Sequence, residues 1–503
     1  MTKRGFFPVL TPAEAAAMVP DGATVGFSGF TNAGPPKAVP RAIARRAREL
    51  HSAGKPFKIR VLTGASSGAN IDEPLAEAEA ISWRAPYQSG AKLRGQINRQ
   101  EVEYVDMHLS QLPQTMLAGF YGKLDLAVVE ATEISPDGRV YLTTSIGASP
   151  SYLKHASHVI VEINHFHSMR LREMADIFIL PPPPHRAPVP LHEPLTKVGL
   201  PYAQVDPRKV LGVVENEEAD HVAPFSTPDE RSQKIAEHVV RFLAGELHAG
   251  RLPKEFLPLQ AGVGNVANSV MAGLGEDPDI PPFKMYTEVF QDSLVPLMEK
   301  GRLTAASTTS LTLSEPVLQT VYDNMDYFAS RIVLRPQELS NHPGVVFRLG
   351  VISMNTALEV DIYGNVNSSH VYGTDIMNGV GGSGEFTRNA YLSIYMCPSI
   401  AKGGRISSVV PMVPHVDNNE HSVQAIVTEQ GLADLRGLGP MQRAKAIIEK
   451  CAHPGYRDYL TRYLEKSRTG HIRHNLADCF ELHLNLMEQG AMIPDMDLAA
   501  FAN

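Results

Sequence analysis

Hydrophobic and polar positions alternate along this chain in short runs, and longer helical stretches separate them. Phe57-Lys58-Ile59-Arg60-Val61-Leu62 alternates with period two and predicts a strand. Ala23-Thr24-Val25-Gly26-Phe27, Leu126-Ala127-Val128-Val129-Glu130 and Val159-Ile160-Val161-Glu162-Ile163 are apolar runs of strand length. Phe283-Lys284-Met285-Tyr286 is another alternating run. Between the strands lie helical signals. Thr11-Pro12-Ala13-Glu14 is a capping box with proline at the first helical position, and Thr227-Pro228-Asp229-Glu230 is a second, opening a helix through Leu243. Asp292 is placed to cap a helix from Ser293 to Lys300 that Gly301 stops, with Pro296 in its first turn. Strands interleaved with helices imply an α/β protein with mainly parallel sheets.

Two halves share a pattern. Within 126–147 an acidic strand end, Glu130, leads through Gly138-Arg139-Val140 to a glycine turn at Gly147. Within 358–381 Glu359 leads through Gly364-Asn365-Val366 to Asn378-Gly379. The glycine turn at 26–34 likewise has a counterpart at 262–268. This reads as a pseudo-repeat of two related α/β domains, with a ligand expected in the cleft between them. Pro181-Pro182-Pro183-Pro184 opens a stiff extended loop that runs to Pro194. The stretch 216–224 starts acidic and lacks a period, so the boundary falls near 220–226, giving domains 1–222 and 223–503.

The 503 residues are enough for two domains with real cores. A net charge of −8 argues against a general nucleic-acid or acidic-membrane binder. Cys397, Cys451 and Cys479 are too few and too scattered for a disulfide framework or zinc site, which suits a reducing compartment. No apolar run reaches the ~18 residues of a membrane span, and no signal-peptide core opens the chain.

The chemistry centres on Glu288. It stands where a strand ends and the chain turns toward a helix, the edge where open α/β sheets bind ligands. Two glycine-rich turns flank it in sequence, Gly262-Val263-Gly264-Asn265-Val266-Ala267-Asn268 and Asn378-Gly379-Val380-Gly381-Gly382-Ser383-Gly384. Its plain alternative is a strand-end acid paired with a lysine such as Lys284. Gly262-x-Gly264-x-x-Ala267, with Glu288 downstream, also fits the loose dinucleotide fingerprint. Pro258 sits where that reading needs a buried strand. The turn could equally present backbone N–H groups to an anion or oxyanion. Gly64-Ala65-Ser66-Ser67-Gly68 matches a nucleophile elbow with no partner singled out. His165, His167, His185 and His192 have no metal spacing and read as surface or loop residues. Arg41, Arg45, Arg46 and Arg48 read as the solvated face of a helix, and Trp83 as a packing residue.

Taken together, these stretches resemble the class I coenzyme A transferases of the acetyl-CoA hydrolase/transferase family. The resemblance spans nearly the whole chain. It rests on Gly26-Phe27-Ser28-Gly29-Phe30-Thr31, Leu62-Thr63-Gly64-Ala65-Ser66, the two glycine-rich turns, Thr287-Glu288-Val289 and Val427-Thr428-Glu429-Gln430-Gly431-Leu432-Ala433-Asp434-Leu435-Arg436-Gly437. Trp83-Arg84-Ala85-Pro86-Tyr87-Gln88 and Tyr322-Asp323-Asn324-Met325-Asp326-Tyr327-Phe328 lean toward propionyl-CoA:succinate CoA-transferases, with succinyl-CoA:acetate CoA-transferases near relatives. The resemblance implies an enzyme moving CoA between a short acyl-CoA and a carboxylate. Glu288 would be the nucleophile, passing through an acyl–glutamyl anhydride and a glutamyl-CoA thioester. The backbone N–H groups of Val263 and Gly382 would form the oxyanion hole, with Asn341 and Glu429 as active-site polar residues. Gly262, Val263, Gly264, Asn265, Val266, Leu358, Asn378, Gly382 and Lys402 would face coenzyme A.

His221 stands where acetate-using relatives carry an arginine, which bears on carboxylate preference. The resemblance implies no permanently bound cofactor and no metal, CoA esters and short acids as partners, and a cytoplasmic homodimer. Acyl-CoA hydrolysis and a non-catalytic CoA-binding regulator are the alternatives.

Overall fold

The computed structural model describes residues 6–184, 186–223 and 229–494. The chain forms two compact units. Unit 1 comprises Met1–Pro224, Lys284–Leu349 and Asn378–Glu385; unit 2 comprises Phe225–Phe283, Gly350–Met377 and Phe386–Asn503.

Unit 1 opens with helix α1 (Pro12–Ala17), whose capping box forms as expected, Thr11 and Glu14 satisfying each other's backbone N–H. The arginine face of helix α2 (Ala38–Ser52) is mostly solvated, but Arg46 turns inward to the carbonyls of Ala16 and Val19 at the end of α1. The strands are β1 (Thr24–Phe27), β2 (Ile59–Leu62), β3 (Ile81–Ala85), β4 (Glu103–Tyr104), β5 (Leu126–Ile134), β6 (Arg139–Leu142), β7 (His158–Asn164), β8 (Ala203–Gln204) and β9 (Val210–Asn216). Seven of them run parallel in the order β4-β3-β2-β1-β5-β7-β9. β5 outlasts its parallel neighbours, and its far end pairs antiparallel with β6. Val25, Phe27, Ile59 and Val61 pack with Ala16, Ile43 and Ala47 from α1 and α2 in one core. Beyond this sheet, Leu303–Thr308 pairs parallel with Ile332–Leu334, and Val289–Gln291 with Ser310–Thr312.

Unit 2 holds four parallel strands, Leu259–Ala261, Ile352–Thr356, Leu392–Met396 and Ala425–Thr428, with Gly431–Asp434 antiparallel at the edge. Pro258 does not break the first of these, because it precedes the first paired residue and no ladder bond is lost. Helices Glu230–His248 and Asn265–Glu276 pack together where Gly273 lets Val240 and Ala236 approach. Asp229 caps the first of them by accepting the Ser232 N–H; Thr227, at the head of the expected capping box, lies outside the described residues, and the helix runs past Leu243 to His248. The β5–β6 hairpin of unit 1 has its counterpart here. Glu359–Asp361 pairs antiparallel with Val366–Asn367 around Gly364, whose φ of +95° suits glycine.

Several expectations need correction. Asp292 caps no helix; its carboxylate accepts the Ser314 N–H at 2.8 Å and hydroxyl at 2.6 Å, and the helix is Leu294–Glu299. His167 is not a surface residue; it lies in the core of unit 1, and His185 lies outside the described residues. The serines of the elbow-like turn are buried, and Ser66 bonds Asp72 and Ser89, which commits it to the fold. The loop 181–194 carries no helix or strand among the described residues, and Trp83 packs edge-on against Tyr121. Cys397, Cys451 and Cys479 are free and buried. Among the described residues no helix is long and apolar enough to cross a membrane.

Candidate active site

Glu288 follows the strand Phe283–Tyr286 and is fixed first through its main chain. Its carbonyl accepts the Thr308 hydroxyl at 2.7 Å and the N–H groups of Thr309 and Ser310 at 3.0 and 3.2 Å. Lys284, the pairing partner of the plain alternative, bonds Glu193 instead. The carboxylate of the half-buried Glu288 receives the Asn341 amide at 2.6 Å. Asn341 ends the helix Gln337–Ser340, which Gln337 ties down by bonding Gly147 and Leu109.

The same Asn341 nitrogen donates at 2.8 Å to Glu385, whose other oxygen accepts the Ser110 N–H at 2.9 Å. Gly382 lies so close that an added β-carbon would overlap the Glu288 carboxylate and the Asn341 amide. The stretch leading to it is pinned in turn. The Asp106 carboxylate accepts the Val380 N–H at 2.9 and 3.0 Å, and Tyr104 donates its hydroxyl to the Asn378 carbonyl at 3.0 Å. Three separate segments, those of Glu288, Asn341 and Gly382, thus meet at one carboxylate within unit 1, and 104–110 holds the third of them.

Burial pushes the Glu288 carboxyl up to about 7, against the Asn341 hydrogen bond, which favours the ionised form. Burial also raises Glu385 to about 8; its bond from Ser110 opposes this and the Glu288 charge adds to it. Such a pair carries about one proton near neutral pH. A carboxylate held by one donor, with main chain packed against it, is suited to nucleophilic attack on an electrophilic carbonyl.

The other expected residues belong to unit 2. Gly262, Val263 and Gly264 form the turn between strand Leu259–Ala261 and helix Asn265–Glu276, whose first two residues are Asn265 and Val266, with Val263 exposed and Gly264 at φ +104°. Leu358 is exposed, and Lys402 is exposed with its ammonium 3.5 Å from the Tyr372 hydroxyl. Glu429 is held by Ser399, whose N–H lies 2.8 Å from one oxygen and whose hydroxyl bonds the other. In unit 1 the exposed His221 ring nitrogen Nδ1 is 2.8 Å from Asn70 Oδ1.

Sequence reading missed Glu385, Asp106 and Tyr104. Their only signal was an acid directly after a glycine run, and an aromatic that closes a plain short strand with an acid two residues on. The buried set Glu130, His167 and Asp220 resembles a metal site, with ligand atoms within 4.8 Å of one another. The Lys37 ammonium already lies between its carboxylates, 2.6 Å from Glu130 and 2.8 Å from Asp220. The two acids outweigh burial and raise the His167 pKa to about 9, so the set is balanced by protein cations.

Comparison with known proteins places this geometry. Residues 6–215 match the acetyl-CoA hydrolase/transferase N-terminal domain, and residues 318–464 match the C-terminal domain of the same family. The chain belongs to the acetyl-CoA hydrolase/transferase family. It is 56% identical to the propanoyl-CoA:succinate CoA transferase of Escherichia coli K12, over 96% of this chain and 98% of that protein. It is 44% identical to the succinyl-CoA:acetate CoA-transferase of Clostridium kluyveri, over 96% and 90% respectively. RipA from Yersinia pestis shares the fold, with a TM-score of 0.72 and 25% identity over 93% of this chain and 99% of RipA. The protein is therefore an enzyme of the CoA-transferase type, and its α/β architecture with mainly parallel sheets is that of its relatives.

Proposed function

We propose that the enzyme transfers coenzyme A from propionyl-CoA to succinate, giving propionate and succinyl-CoA, with Glu288 as covalent nucleophile. The observation that carries the reading is the Glu288 carboxylate itself, oriented by the Asn341 amide at 2.6 Å and faced by the Gly382 main chain. The substrate pair is supported by the 56% identity to the E. coli enzyme of that activity.

In this reading the Glu288 carboxylate oxygen attacks the thioester carbonyl, and the C–S bond breaks to release CoA thiolate. An acyl–glutamyl anhydride remains. The thiolate then attacks the glutamyl carbonyl, expelling propionate and leaving a glutamyl-CoA thioester. Succinate reverses the two steps, so Glu288 ends as it began. Each tetrahedral intermediate bears an oxyanion, for which the N–H groups of Val263 and Gly382 are the proposed donors. Gly262, Gly264, Asn265, Val266, Leu358, Asn378 and Lys402 are assigned to coenzyme A, which is a substrate here, and Glu429 to the active site. His221 is assigned to carboxylate preference.

The same reading divides the chain into family domains 1–222 and 223–503, with one family match inside each, while the compact unit that holds Glu288 draws 284–349 and 378–385 from the second of them. It places a homodimer in the cytoplasm, in keeping with three free buried cysteines.

Intact mass after exposure to propionyl-CoA tests the mechanism. A CoA-sized adduct on the Glu288 peptide, absent from Glu288→Ala, is expected; no adduct under conditions where CoA binds sinks the covalent route. The family also contains acetyl-CoA hydrolases, in which water takes the place of the acceptor acid. Turnover that depends on added succinate separates transfer from hydrolysis.

A further inference from the structure

We propose that Glu385 is a positioning residue for the nucleophile, acting through the Asn341 amide. This rests on Glu288 being the nucleophile. Asn341 has two amide hydrogens. One serves Glu288 at 2.6 Å and the other serves Glu385 at 2.8 Å. The amide oxygen is buried and has no hydrogen-bond partner among the described residues. The two carboxyl groups therefore set the orientation of this amide, and nothing at its oxygen end helps them.

That matters because the terminal torsion of asparagine is soft and roughly two-fold. With Glu385 gone, a half-turn would present the amide oxygen to the Glu288 carboxylate, replacing attraction with repulsion. Glu385 is itself fixed on its far side by the Ser110 N–H at 2.9 Å. It lies in the first turn of helix Ser383–Asn389, three residues after Gly382. One short stretch thus supplies both the main chain against the nucleophile and the acid that orients its partner. Burial raises both carboxyls, and as a pair they hold about one proton near neutral pH, so the amide between them need not face two full negative charges.

The test is a double-mutant cycle read by the rate of adduct formation with propionyl-CoA, by kcat and by KM. It uses wild type, Glu385→Ala, Asn341→Ala and the double variant, with Glu385→Gln as the conservative replacement. Glu385→Ala should lower adduct formation and kcat by about 10- to 100-fold, with KM for propionyl-CoA within about twofold of wild type. In the Asn341→Ala background the same substitution should change nothing further. Glu385→Gln offers one acceptor oxygen to two donors, the Asn341 amide and the Ser110 N–H, and should fall between the alanine variant and wild type. Should the alanine variant fail to fold, Glu385→Leu carries the cycle. An unchanged rate in Glu385→Ala overturns the proposal. So does the same fold-loss with Asn341 already removed. A wild type that forms no adduct overturns the Glu288 assignment, and this proposal falls with it; a wild type that does form one leaves the assignment standing whatever Glu385 does.

Discussion

Gly381 and Gly382 are adjacent, and a methyl group added to each would do different harm. Gly381 has φ +56°, a left-handed conformation, but its β-carbon would meet Tyr87 only at ordinary contact distance, 3.5 Å. Its cost is conformational. Gly382 needs no left-handed backbone, but its β-carbon would overlap the Glu288 carboxylate and the Asn341 amide. Its cost is steric and falls on the reacting group. Gly381→Ala should therefore lose about 1–2 kcal/mol of stability with kcat nearly intact. Gly382→Ala should lose about 100-fold or more in kcat, on the scale of a lost oxyanion donor, on top of about 1–3 kcal/mol of stability from the overpacked contact. Thermal scans beside steady-state kinetics check both. Equal losses of kcat in the two variants would show that the stretch acts as one unit and that the contact at 382 has no special weight.

At the scale of elements, helix α2 shows how the sheet holds its helices. Its N-cap residue, Lys37, makes no capping bond with its side chain. The Glu162 carboxylate of β7 does that work, accepting the N–H groups of Lys37, Ala38 and Val39 at 2.7, 2.9 and 3.0 Å. A negative charge at a helix start is favourable, and here it also satisfies donors that water does not reach. Glu162→Ala strands those donors and should cost about 2–4 kcal/mol, read as a lower melting temperature and faster hydrogen exchange at 37–39. This contact also marks the limit of what the chain discloses in advance. β5 and β7 are legible as apolar runs, and the α1 capping box is legible because all its partners lie within four residues. A cap supplied from 125 residues away is not. The same divide runs through the site. Glu288 and the glycine turns stand out locally. Glu385, Asp106 and the buried role of His167 depend on which segments the topology brings together. Asp292 shows the converse error, since a locally plausible cap is claimed instead by Ser314.

For the molecule as a whole, the buried acids set stability and activity on opposite sides of neutral pH. Burial raises Glu288 and Glu338 to about 7, Glu385 to about 8 and Asp361 to about 6. A carboxyl whose folded pKa exceeds its unfolded value keeps a proton that the unfolded chain has released. Each such group therefore lowers stability as pH rises from its ordinary value, 4.5 for glutamate, to its folded one. His167 acts in the same direction: its contribution is present below 6.5 and is lost as pH rises through about 9. Groups with depressed pKa act at the other end. Glu246, lowered to about 2 by Arg251 first and then Arg436 against the opposing effect of burial, stabilises above 4.5 and loses that contribution as pH falls through about 2, and Asp220 beside Lys37 has the same sign. The melting temperature should accordingly peak near pH 4.5 and fall from there toward pH 9. The nucleophile, in contrast, must be ionised, so kcat/KM should rise about tenfold per pH unit up to about 7 and then level. The enzyme would be fastest where it is less than maximally stable, because the same desolvation that raises the Glu288 pKa also destabilises the folded state once that group is charged. Glu288→Gln separates the two effects. It should abolish adduct formation and flatten part of the stability slope between pH 4.5 and about 7, leaving the slope above to Glu385 and His167. Melting temperatures of both proteins across this range decide it: a wild-type curve that is flat or rises from about pH 5.5 to 8.5 would mean the buried acids are hydrated well enough to titrate normally.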